Sequence, residues 1–298
     1  HRSLELMAKK PRNAERIKNL IVVSDTHSGC RVALCHPDGA QLDGGGRYTP
    51  SEFQLKMWAW WEEFWNDWVP TVTRGEPYDI VHNGDALDGT HHKSTTQISH
   101  NLEDQQRIAE AVLRPVVERC KRLGGTYYHI RGTEAHVGQS GEFEERLART
   151  LGAKPNVSGQ YARNDLWKRV GDPASDIHAP LVHLLHHVGI TGSAAHEASA
   201  VNAELAAEFV EAARWGREAP TFVVRSHRHR SIVVRLPAKH GIAASIVTPA
   251  WQGKTPWVFK VPGARLSEPQ IGGILIRQGE EVFYHQEWVR SFDRSPEE

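Results

Sequence analysis

Short apolar runs that close on polar residues punctuate this chain. Leu20-Ile21-Val22-Val23 leads into Ser24-Asp25-Thr26-His27, and YDIVHNGD (78–85), TYYHIRG (126–132) and LVHLLHHVG (181–189) take the same form. Uninterrupted apolar runs of this length, bounded by turn residues, predict buried strands. The stretches between them carry the helical period instead. In SEFQLKMWAWWEEFWNDWVP, Ser51 is placed to cap a helix on which Leu55, Trp58, Trp61, Trp65 and Trp68 form one stripe. A stripe at that spacing predicts core packing, and Pro70 is expected to end the helix. NLEDQQRIAEAVLRPVVERCKRLGG (101–125) reads as a helix closed by Gly124 and Gly125, with Pro115 inside it. Residues 140–153 predict a short helix and the Ala-rich residues 191–216 a longer one. The Gly- and Pro-containing residues 36–50 and the polar residues 88–101 predict loops. From 221 onward TFVVRSHRH, SIVVRL, IAASIVTP, IGGILIR and EVFYHQEW follow one another as strands, with few helices between them.

Strand–helix alternation followed by a run of strands predicts an α/β fold with two packed mixed sheets flanked by helices. At 298 residues, 39% of them hydrophobic and 24% charged, the chain can bury a full core. A single domain over 7–290 is expected. Residues 1–6 precede Met7 and read as a remnant foreign to the protein, and 291–298 read as a tail. Lys+Arg and Asp+Glu both total 36, which argues against a broad electrostatic clamp on nucleic acid or membrane. Three cysteines are too few for a disulfide framework and fit a reducing compartment. No apolar run is long enough to span a bilayer, so a cytoplasmic location is expected.

The chemistry gathers where the strands end. The first strand closes on Asp25 and His27, the second on Gly84-Asp85, the fourth on His186-His187 and a later one on His227 and His229. Ligands in α/β folds collect outside the carboxyl ends of strands. Residues two apart on a strand face the same way, so Asp25 can pair with His27 and His227 with His229. Carboxylate and imidazole without thiolate suit Zn, Mn or Fe. Each motif alone fits an ordinary polar turn; together, each at the end of an apolar run, they predict a metal site. His186, the first polar residue after the run, is preferred to its neighbour His187 as the ligand.

This motif order resembles that of the calcineurin-like metallophosphoesterases: Asp-x-His, then Gly-Asp-x-x-Asp (GDALD, 84–88), a Gly-led motif after the third strand, a strand-end His, and x-His-x-His. The likeness spans roughly residues 19–235, with Ser226 where the family usually has Gly. It implies a four-layer αββα sandwich holding two divalent metal ions (Mn, Fe or Zn). One ion is implied on Asp25, His27, Asp85 and His229. The other is implied on Asp85, His186, His227 and one residue of the Gly-led motif. The implied activity is hydrolysis of phosphate esters by in-line attack of a metal-bridging hydroxide.

The Gly-led motif departs from the family's Gly-Asn-His. In RGTEAHVG, Gly132 matches, Thr133 takes the Asn position, Glu134 takes the His position, and His136 comes two residues late. Phage-borne members look similar, which implies a phage or prophage origin and the cytoplasm of a bacterial host. His136 is expected either to protonate the leaving oxygen or to replace the missing Asn ligand. Asn83, Asp88, Thr133, Glu134 and His187 are expected to support the ligands or to meet substrate. Phosphodiesters, as nucleotides or short nucleic acid, are favoured over monoesters. The competing expectations are a catalytically silent module that binds phosphate or nucleic acid, and a metal-dependent hydrolase of another bond, such as an amide.

Overall fold

The computed structural model describes residues 16–91, 94–138, 140–189, 194–261 and 264–292. The expected remnant at 1–6 and residues 293–298 of the expected tail lie outside them. Phe292 of that tail is packed, stacking on Phe53 with ring centroids 4.3 Å apart.

Two sheets carry the site. The first has the order β13-β12-β1-β4-β5-β6. Its strands are β1 (Asn19–Val23), β4 (Tyr78–Asn83), β5 (Tyr127–Ile130), β6 (Ala162–Arg163), β12 (Ile271–Gln278) and β13 (Phe283–Arg290). The segments β1, β4, β5 and β6 are mutually parallel, and β12 and β13 add an antiparallel edge. The second sheet has the order β10-β11-β9-β8-β7, from β7 (Asp165–Arg169), β8 (Leu181–Leu185), β9 (Phe222–Arg225), β10 (Ile232–Ala238) and β11 (Gly241–Val247). A two-stranded ribbon, β2 (Ala40–Gln41) with β3 (Arg47–Tyr48), lies apart.

Strand alternation sorts the core into layers. Leu20 and Val22 of β1 join Leu184, Val224 and Ile246 in a core between the two sheets. Ile21 and Val23 face the other way, into a core with Trp61, Trp65, Val112 and Leu147. Those residues come from a helix layer containing α1 (Glu52–Glu63), α3 (Leu102–Arg122) and α5 (Glu142–Thr150). On the outer face of the second sheet, Leu205 of α6 (Glu197–Arg214) packs with Val223 and Ala243. The expected α/β architecture of two packed sheets between helices is the one observed. Burial on both faces explains why the central strands read as unbroken apolar runs. No helix among the described residues is long and apolar enough to cross a membrane.

Three local expectations need correction. Pro70 does not end the first helical stretch. The chain widens into a π-helical turn over Phe64–Trp68, where the Val69 N–H donates to the Phe64 carbonyl, and resumes as α2 (Val69–Thr73) with Pro70 in its first turn. A proline there lacks only an N–H that the turn does not use. Leu55 is exposed, and the buried stripe is Gln54, Met57, Trp61, Phe64 and Trp65. The predicted loop at 36–50 contains the β2–β3 ribbon, whose two-residue strands show no periodicity.

Candidate metal centre

The strands stop short of the residues that matter. β1 ends at Val23, β4 at Asn83, β8 at Leu185 and β9 at Arg225. Asp25 and His27 therefore do not converge by strand alternation, and neither do His227 and His229. They converge through left-handed backbone turns. Among the described residues six non-glycine residues have positive φ. Five of them are Asp25 (51°), His27 (39°), Asp85 (54°), His227 (74°) and His229 (54°). Asp and His tolerate this region better than most residues, yet each such turn still costs about 1–3 kcal/mol and persists only where surrounding structure fixes it. The fixing bonds are present. Asp25 N–H donates to the Gly84 carbonyl at 2.9 Å, His27 N–H to that of Asp85 at 3.0 Å, and Ser28 N–H to that of Ala86 at 2.9 Å.

Asp85 is the hub of the cluster. Its Oδ2 lies 3.0 Å from His186 Nε2, 3.9 Å from His227 Nδ1, 3.9 Å from His136 Nε2 and 4.0 Å from His27 Nε2. On one side Asp25, His27 and His229 bring ligand atoms within 4.8 Å of one another; Asp25, Asp85 and His186 do the same on the other. His27 Nε2 and His229 Nε2 face each other at 3.2 Å, with Asp25 Oδ1 3.3 Å from the latter. That Asp25 oxygen is buried and makes no hydrogen bond. Two converging imidazole nitrogens beside an unsatisfied carboxylate oxygen form a donor set that a divalent cation satisfies once the rings are deprotonated, and the N/O set fits the ions expected. The buried Asp and His groups could hold metal ions.

Neighbouring side chains fix this geometry. Asn83 joins the two sheets: its amide donates to the Leu185 carbonyl at 3.2 Å and to Ser226 Oγ at 2.7 Å, and its own carbonyl accepts from His186 Nδ1 at 2.7 Å. Ser226 lies 2.7 Å from Thr248 Oγ1, which also reaches Ser24 Oγ at 2.8 Å. Ser226 thus links the strand ends. Asp88 Oδ1 stands 3.4 Å from His27 Nδ1, and Asp88 is held by Gln97 at 2.8 Å and Gln252 at 3.2 Å. Thr133 N–H donates to Asp85 Oδ1 at 2.6 Å and its hydroxyl to Asp85 Oδ2 at 3.2 Å, with His227 Nδ1 3.2 Å from the same hydroxyl. At Gly132 a Cβ would run into Asp85 itself, so only glycine allows this approach.

His136 enters from the short helix α4 (Glu134–Val137). Its Nδ1 donates to the Asp88 carbonyl at 2.6 Å, which leaves Nε2 facing Asp85. His91 packs edge-on against it, ring centroids 4.2 Å apart. Glu134 is exposed and joins none of the converging ligand groups among the described residues. His187 is exposed and shares a group with His186 and His227. Sequence reasoning missed Gln97, Gln252 and Glu144. Glu144 is fully buried on α5 and accepts from Ala86 N–H at 2.8 Å and Gly132 N–H at 2.6 Å. It ties the loop bearing Asp85 to the loop bearing Thr133.

The charges are strongly coupled. Burial works against charge on Asp25 and Asp85, but the surrounding imidazoles hold both carboxyls well below their usual range. Burial also opposes charge on His27, yet the carboxylates of Asp25, Asp88 and Asp85 around it lift it to about 10. His186 rises to about 9 against its burial, chiefly through Asp85. His136 goes the other way: burial pushes it down to about 4, which Asp85 only partly offsets.

No family model matches this sequence, and no curated protein matches it. Among solved structures, the chain is similar to Vacuolar Protein Sorting 29 from Cryptosporidium parvum, at 10% identity and a TM-score of 0.32, over 93% of this chain and 100% of that one. It is also similar to the Thermus thermophilus sulfate thiohydrolase SoxB in complex with glycerol, at 11% identity and a TM-score of 0.38. That match covers 92% of this chain and 56% of the other.

Proposed function

We propose that this chain is a dinuclear metal-dependent hydrolase of phosphate esters, with diesters favoured over monoesters. The observation that carries the reading is Asp85 Oδ2, a single carboxylate oxygen within 4.0 Å of nitrogens from four imidazoles. In the assignment, Asp25, His27, Asp85 and His229 hold one ion, and Asp85, His186 and His227 hold the other. Bound divalent ions withdraw charge from a phosphate ester and lower the pKa of water.

The protein's own part is positional. Asp88 fixes the His27 ring through Nδ1, Asn83 fixes His186, and Thr133 fixes the Asp85 carboxylate. His136 offers Nε2 to the leaving oxygen. Burial keeps that nitrogen unprotonated in the free protein, so in this role Nε2 first takes a proton from solvent, which the negative charge of a bound phosphate ester favours, and then passes it to the leaving oxygen. Support also comes from the motif order of the sequence, which resembles that of the calcineurin-like metallophosphoesterases except in the Gly-led motif.

A second reading is a catalytically silent module that binds phosphate. It draws on Glu134, exposed at the position where the motif places a histidine. Metal analysis combined with a panel of monoester, diester and amide substrates tests both. The proposal expects turnover of phosphate esters, diesters fastest. Two ions per chain with no turnover of any ester would favour the silent module, and turnover of amides alone would sink both.

A further inference from the structure

Three imidazoles, two of them beside Asp85, stand at the corners of a nearly equilateral triangle. The ring centroids of His186, His187 and His227 are 5.1, 5.3 and 5.4 Å apart. Each pair is turned edge-on, with interplanar angles of 79°, 74° and 65°. One nitrogen from each ring lies within 4.8 Å of those of the other two. His187 reaches this position because β8 stops at Leu185. Strand alternation, which would turn His187 away from His186, no longer governs the chain there.

Three other side chains could offer a fourth donor. The Thr133 hydroxyl stands 3.2 Å from Asp85 Oδ2 and from His227 Nδ1, but it is a neutral, weak ligand whose proton is directed at Asp85. Glu134 is exposed and joins no ligand group among the described residues. His136 groups with His27 and Asp88 on the opposite side of the cluster.

We propose that His187 is a metal ligand, completing the second position together with Asp85, His186 and His227. The assignment rests on the dinuclear reading above. It gives that position three imidazoles and one carboxylate, a donor set suited to zinc and its transition-metal neighbours rather than to magnesium or calcium. His187 is exposed, so the position stays open to solvent on that side.

Equilibrium dialysis of the full chain against zinc, and against cobalt with its visible absorption recorded, tests the assignment. The wild type binds two ions. The His187→Ala and His187→Gln variants keep the melting temperature of the metal-free wild type and, when loaded, one tight ion. They lose affinity for the second ion by more than the roughly 10–100-fold that removal of a ligand's supporting neighbour costs. Their cobalt spectrum also changes at the second equivalent alone. Wild-type affinity for two ions in both His187 variants overturns the assignment and leaves the dinuclear reading standing. A wild-type chain that binds fewer than two ions overturns the reading and the assignment with it.

Discussion

Asp25, His27, Asp85, His227 and His229 share a backbone conformation that most residues avoid, and each is an Asp or a His. The residue types that serve as ligands are also among those that best tolerate left-handed φ, so one choice serves chemistry and backbone together. Around them, Asp88 carries a specific burden, because it orients His27 and is itself held by Gln97 and Gln252. Asp88→Asn is expected to weaken metal binding about 10–100-fold while the chain stays folded, as read by metal titration alongside circular dichroism. His136 makes a sharper prediction. If it supplies the leaving-group proton, His136→Ala slows turnover of alkyl esters by about 10²–10⁴-fold. Esters that release p-nitrophenolate, a leaving group needing no proton, are then spared. Equal losses on both classes would instead place His136 among the metal ligands.

The long elements were legible in the sequence, and the short or polar ones were not. β1, β4, β5, β8, β9 and β12 announce themselves because most of their side chains are buried on both faces, and β10, β11 and β13 through their β-branched and aromatic residues. β6 has two residues, and β7 is an edge strand in which Leu166 alone is buried, so neither leaves a pattern. At the centre, the strand-end Asp and His residues were readable as a cluster. The means of convergence was not, since left-handed turns at Asp and His carry no periodicity. Glu144 was hidden for a different reason: on an amphipathic helix rich in Glu and Arg it reads as surface, yet it is buried and joins two loops. Glu144→Gln tests its role. An amide has one acceptor oxygen and cannot satisfy both the Ala86 and Gly132 N–H groups. The variant is expected to lose about 1–3 kcal/mol of stability and, with it, tight metal binding. Metal affinity within twofold of wild type would remove Glu144 from the account.

Across the molecule, two sheets meet their helices so that four strand ends open onto one charged cluster, and on the dinuclear reading its protons couple folding to metal. In the metal-free chain His27 and His186 stay protonated at neutral pH, near 10 and 9 respectively. Ligation requires both to lose their protons, so metal uptake at pH 7 should release about two protons per chain. Calorimetry in buffers of different ionisation enthalpy measures this directly. The sign for stability follows from the same shifts. Both imidazoles are raised above the ordinary 6.5. Their contribution is therefore complete below that value and drains away as pH rises through 9 and 10. The metal-free chain should melt at progressively lower temperature between pH 7 and 10, whereas the metal-loaded chain should not follow that slope.

The most direct test of the central claim is hydrolysis of bis(p-nitrophenyl) phosphate by the wild-type chain, the chelated chain and the chelated chain reloaded with manganese or zinc, with Asp85→Ala in parallel. The account predicts turnover in the first, its loss in the second, its return in the third and none above background in the variant. Undiminished turnover after chelation, or full activity in Asp85→Ala, would contradict it.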